Sequence, residues 1–67
     1  MSITYNKLWK KLIDKNMKKM ELKTATGIGS TTLSKLSKNQ VVSMDVLMKI
    51  CKVLKCDFGD IVEYIND

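Results

Sequence analysis

The chain has 67 residues, 45% of them hydrophobic, which suits one small globular domain, and a chain this short buries only about 60% of its unfolded surface. It carries 12 Lys against 7 acidic residues, net +5, with no His, no Arg and no Pro. No apolar run is long enough for a membrane span, and the first residues lack the basic-then-apolar pattern of a secretory signal, so a cytoplasmic location is expected.

The charge is unevenly distributed. Residues 1–42 hold nine Lys and two acids, Asp14 and Glu21, for a balance of +7; residues 43–67 hold three Lys and five acids, for −2. A basic block of this kind suits a polyanionic partner, because clustered ammonium groups displace counterions condensed on a phosphate backbone. Catalysis finds no support: there is no His, no carboxylate pair in a cleft and no nucleophile beside a base. Cys51 and Cys56 match no zinc spacing and read as small buried apolar groups in a reducing compartment. No metal, cofactor or small-molecule ligand is expected.

In chain order, the spacing predicts a first helix from about Tyr5 to Asn16, with Thr4 as its N-cap. Tyr5, Leu8, Trp9, Leu12 and Ile13 form its inner face. Lys7, Lys11 and Lys15 lie on the opposite side and read as a solvated face, and Met17 packs the following turn. A short second helix, about Lys19 to Thr26, has Met20 and Ala25 inward with Leu22 nearby, and Gly27 closes it in the left-handed conformation. Ile28 is a buried plug. Gly29 or Ser30 caps a third helix ending near Ser37 or Lys38, with Leu33 and Leu36 inward. Asn39 to Val42 form a loop, although Gln40-Val41-Val42 is the one β-like stretch by composition. Ser43 caps a fourth helix carrying Val46, Leu47, Ile50, Cys51 and Leu54 inward. Asp57 caps a fifth helix, with Asp60 in capping-box position and Phe58, Ile61, Val62 and Ile65 as its apolar stripe. The expectation is a single all-α domain over residues 1–67, a five-helix orthogonal bundle.

Residues 18–38 carry the functional signal. A short helix stops at Gly27, a three-residue turn is centred on Ile28, and a second short helix comes next. That arrangement lets one helix enter the major groove of DNA while its partner lies across the backbone. The outward positions of the third helix are Ser30, Thr31, Ser34, Lys35 and Lys38, and no carboxylate occurs from Gly27 through Met44. Hydroxyls bond base edges or phosphates, and Lys reaches guanine O6 and N7.

The run from Lys19 to Leu36 resembles the phage Cro/repressor-type helix-turn-helix, the XRE family. The resemblance lies in Glu21-Leu22 in the first helix, Thr26-Gly27-Ile28 at the turn, and Thr32-Leu33 with Leu36 in the second. Downstream, Ser43, Leu47, Ile50, Cys51, Leu54, Cys56, Asp57, Asp60 and Ile61 resemble that family's later helices, so the likeness spans about residues 5–65. It implies a lambda-repressor-like DNA-binding fold in a bacterial or phage-encoded transcriptional regulator, a repressor by family habit, that binds double-stranded DNA as a homodimer. Ser30, Thr31, Ser34 and Lys35 match base-reading positions. Lys18 and Lys19 match the phosphate-binding start of the first motif helix, where the family often has Gln in place of Lys19. Lys38, Asn39 and Gln40 match the segment that touches the opposite backbone. Phe58, Ile61, Tyr64 and Ile65, at the apolar and acidic C-terminal end, are the expected subunit interface. The absence of Arg leaves guanine reading to Lys, a point charge with looser geometry, so modest base discrimination is expected. Two other readings use the same residues: an interaction module that binds a partner protein, as an antitoxin does, and a non-specific DNA-associated basic protein.

Overall fold

A computed structural model describes residues 2–66. The elements, in order, are β1 (Ser2–Thr4), α1 (Asn6–Asp14), α2 (Lys19–Thr26), α3 (Ser30–Ser37), α4 (Met44–Leu54), a 3-10 turn (Phe58–Asp60) and β2 (Glu63–Ile65). The four helices close around a core of Tyr5, Leu8, Leu12, Leu22, Ile28, Leu36, Leu47, Ile50, Leu54 and Ile61. Every helix contributes, as does the buried Ile28 of the turn between α2 and α3.

The fifth helix does not form, so the chain is mostly helical with a small sheet rather than all-α. Asp57 caps its segment as expected: its carboxylate accepts from the Phe58 N–H at 2.8 Å, and the Asp57 N–H donates to Asp60 Oδ2 at 2.9 Å. After this single 3-10 turn the chain extends, and β2 pairs antiparallel with β1, Ser2 opposite Ile65, Ile3 opposite Tyr64 and Thr4 opposite Glu63. Tyr64 and Ile65 are aromatic or β-branched and suit a pleated strand, and β1 offers partners for the backbone groups of β2. Residues 40–42, β-like in composition, are loop, with Val41 exposed.

Three of the four helices end in the same way. At α1, α3 and α4 a non-glycine residue takes the left-handed conformation (Asn16 at φ 56°, Asn39 at φ 57°, Lys55 at φ 54°). The next N–H then reaches back five residues: Met17 to Leu12 O at 2.8 Å, Gln40 to Lys35 O at 2.9 Å, Cys56 to Cys51 O at 3.1 Å. This is the six-to-one closure of a Schellman motif, which satisfies carbonyls left free at a helix end. Cys51 and Cys56 are the two ends of that closure at α4, both partly buried and packed on the core. Burial raises the Cys51 thiol pKa above its ordinary value, and the neighbouring Cys56 adds to the shift.

Several inward assignments are corrected. Ile13 is 76% exposed and Met20 61%, and Ala25 is exposed too. α1 buries the narrow pair Leu8 and Leu12, with Trp9 half-buried at its edge, so Ile13 falls beyond the seam. In α2 only Leu22 is fully enclosed, and its inner neighbour is Thr26, one turn on. A partly buried hydroxyl is tolerable there because it donates back to Leu22 O at 2.7 Å. The first helix also starts later than expected: Tyr5 is its N-cap residue and makes no side-chain cap, whereas Thr4 Oγ1 accepts from the Asn6 N–H at 3.2 Å.

Candidate nucleic-acid interface

The turn between α2 and α3 is built from three local devices. Gly27 takes φ 77°, a left-handed conformation that costs an L-residue roughly 1–2 kcal/mol and glycine almost nothing, and its N–H donates to Lys23 O at 2.9 Å. Thr26 Oγ1 accepts from the Ile28 N–H at 3.4 Å, which links the helix end to the turn. Ile28 itself is buried in the core and fixes the angle at which α3 leaves. Gly29 is the N-cap of α3 in ordinary extended backbone, φ −81° and ψ 167°, and brings no side-chain acceptor. The start of α2 is held differently: Glu21 Oε1 accepts from the Lys18 N–H at 3.0 Å. The only acid in the motif is therefore spent on a helix cap.

Helix α3 presents one polar face. At about 100° per residue, Ser30, Thr31, Ser34, Lys35 and Lys38 fall within an arc of about 140°, roughly opposite Leu33 and Leu36. All five are exposed, Leu36 is fully buried and Leu33 partly so. The face is free of carboxylates and carries short hydroxyls along its length, with ammonium groups toward the C-terminal end where the helix dipole also favours cations. Lys18 and Lys19, exposed at the start of α2, add two more cations to the motif.

Asn39 and Gln40 have structural duties, and their tie to Tyr5 is one that the sequence did not disclose. Asn39 is the left-handed residue that stops α3, and its Oδ1 accepts from the Tyr5 N–H at 3.2 Å. The buried Tyr5 hydroxyl donates to Gln40 O at 2.7 Å. The segment after α3 is thus clamped to the start of α1. Asn after a helix is a stop signal in its own right, and that part of its role was available in the sequence. Lys19 also has a partner: its Nζ lies 4.2 Å from the centroid of the Trp9 ring. Lys7, on the far side of α1, donates to Gly59 O at 3.3 Å and belongs to the scaffold.

The C-terminal residues expected at a subunit interface divide. Ile61 is 0% exposed and sits in the core, closed to a partner, and Phe58 is partly buried against the core. Tyr64, 58% exposed, and Ile65, 40% exposed, remain on β2. Among the described residues, no helix is long and apolar enough to cross a membrane, and no group of three or more His, Cys, Asp or Glu could hold a metal ion.

A short helix, a glycine-closed turn with a buried apolar plug, and a second helix with an acid-free polar face define a helix-turn-helix DNA-binding domain. The chain belongs to the Cro/C1-type HTH DNA-binding domain family, whose sequence model matches residues 7–67. Among solved structures, it is similar to the crystal structure of the transcriptional regulator VanUg, with 53% sequence identity and a TM-score of 0.95 over 98% of this chain and 88% of that one. No curated protein matches the chain.

Proposed function

We propose that this protein is a sequence-specific transcriptional regulator that inserts α3 into the major groove of double-stranded DNA and represses by occupying its site. The observation that carries this reading is the exposed, acid-free face of α3, held at a fixed angle by the Gly27 turn and the buried Ile28. Ser30, Thr31, Ser34 and Lys35 read bases, and Lys18, Lys19 and Lys38 contact phosphates. Gln40 adds a backbone contact through its side chain, and Asn39 through the amide nitrogen that its bond to Tyr5 leaves free. DNA binding in a regulatory setting is supported by the Cro/C1-type family and the likeness to the transcriptional regulator VanUg, and repression is inferred from the resemblance of residues 19–36.

The working unit is a homodimer on a two-fold symmetric site, with half-sites about 34 Å apart. One α3 offers few readers, all short or flexible, and two copies double them. Tyr64 and Ile65 are the apolar residues of β2 available for a second copy. The decisive experiment is selection of bound duplexes from random DNA, run beside a Ser34→Ala/Lys35→Ala double variant. A two-fold symmetric motif from the wild type, lost in the folded double variant, is expected. Recovery of no motif from the wild type refutes sequence-specific regulation, and a co-purifying protein would then favour the interaction-module reading.

A further inference from the structure

The wall beside the start of α2 contains a feature that DNA recognition by α3 does not use. Trp9 of α1 is partly buried, packed on the core, and turns one face toward the ammonium of Lys19, 4.2 Å from its centroid. The two residues border a groove of about 330 Å³ lined also by Leu12, Ile13, Met17 and Lys18. A free Lys at this place would sweep its ammonium over a wide arc, because its four-carbon stem has many rotamers. The ring quadrupole attracts the cation, and the apolar groove wall lies along the stem. An ammonium has three N–H donors, so one that rests on a ring still directs others away from it, toward an acceptor outside.

We infer that Trp9 is a positioning residue: it holds Lys19 in a pre-set place from which the ammonium meets a DNA phosphate. The inference rests on the proposed phosphate role of Lys19 and adds how that contact is made inexpensive. Ordering the Lys19 stem is completed on folding, so less of that cost falls on binding. The partner recognised is a backbone phosphate diester, approached at the start of α2, where the helix dipole also favours an anion.

Pre-positioning and charge have different signatures in a salt series. Removing the Lys19 charge changes the slope of log K against log salt by about 0.9, whereas removing Trp9 leaves the charge and hence the slope, and lowers affinity equally at every salt concentration. The test measures binding of a short mixed-sequence DNA duplex to wild type, Trp9→Leu, Trp9→Phe, Lys19→Gln and the Trp9→Leu/Lys19→Gln pair, each checked for its fold by circular dichroism. Trp9→Leu is expected to weaken binding about 2- to 5-fold with no change of slope, Trp9→Phe to recover part of that loss, and Trp9→Leu to add nothing in the Lys19→Gln background. In the wild-type protein, the Lys19 Cε protons are expected upfield of those of the other lysines from the ring current, a measurement that requires no variant. Equal loss from Trp9→Leu with and without Lys19 overturns the inference, as do unchanged or tighter binding and unshifted Lys19 protons. If Lys19→Gln alone leaves the slope unchanged, the phosphate assignment of Lys19 falls and takes the inference with it.

Discussion

The proposed phosphate contacts make a numerical prediction about salt. Lys18, Lys19 and Lys38 are exposed and are the proposed phosphate contacts, and each neutralised phosphate contributes a slope of about −0.9 in log K against log salt. One module therefore predicts a slope of about −2.7, and a symmetric dimer about −5.4. Raising monovalent salt from about 50 to about 200 mM, a fourfold change, should weaken binding by roughly 40-fold for one module and by about three orders of magnitude for two. The same measurement reads out the stoichiometry, since no other term in the interface scales so steeply with the number of bound copies. Fluorescence anisotropy of a labelled duplex across a salt series is sufficient. Lys38→Gln should lower the slope by about 0.9 per module. Lys7→Gln should leave it unchanged, because Lys7 donates to Gly59 O and is no part of the helix-turn-helix. A slope within about one unit of zero, or an equal response to Lys7→Gln and Lys38→Gln, refutes the assignment of phosphate contacts to this face.

The scaffold supplies three further outcomes. Gly27→Ala places a Cβ at φ 77°, where nothing lies within 4 Å, so its cost is conformational: about 1 kcal/mol, seen as a Tm lowered by roughly 4–8 °C. Ile61→Val should cost about 0.5–1.5 kcal/mol in urea unfolding and leave the sedimentation behaviour unchanged, because Ile61 is in the core; Ile65→Asp, at a paired strand position, should cost about 1 kcal/mol and convert a dimer to a monomer. A wild type already monomeric at high concentration would remove the dimer proposal. Tyr5→Phe deletes the donor to Gln40 O and should cost about 1–2 kcal/mol. It should also flatten the alkaline limb of stability: burial raises the Tyr5 pKa above its ordinary 10.0, against a smaller opposing effect of the backbone hydrogen bond at Val42. The unfolded phenol ionises first, so the contribution of Tyr5 is complete below pH 10 and is lost as pH rises through the folded value. Equal pH profiles for wild type and variant would sink that account.

The parts of the fold legible in the sequence are those fixed by local chemistry. Gly27 reads as a left-handed stop because few other residues take that conformation cheaply, and Ser43 reads as a cap because its hydroxyl accepts from the Val46 N–H at 3.3 Å. Asp57 and Asp60 are legible as a cap pair for the same reason, yet they cap one turn and not a helix. The path of the chain beyond a capped turn depends on partners distant in sequence, here β1 at the other end of the domain. Inward faces were least legible in the shortest helices. With eight or nine residues, a face rests on two or three positions, and an error of about 60° exchanges Thr26 for Ala25 or carries Ile13 past the seam. The Trp9–Lys19 contact and the Tyr5 clamp join separate elements, and no spacing rule within one helix discloses them.

The Tyr5 clamp changes what the small sheet means for DNA recognition. α3 is fixed at its start by the Gly27 turn and Ile28, both within the motif. Its end is fixed from outside: Asn39 and Gln40 are bonded to Tyr5, the residue that joins β1 to α1. β1 in turn is paired along its length with β2. The segment expected to be a fifth helix therefore contributes as a strand to the support of α3. A helix there would leave the backbone groups of Ser2–Thr4 without their partners and the Tyr5 anchor less constrained. The same connection places any contact made by Tyr64 or Ile65 within one strand pair and two hydrogen bonds of the C-terminal end of α3.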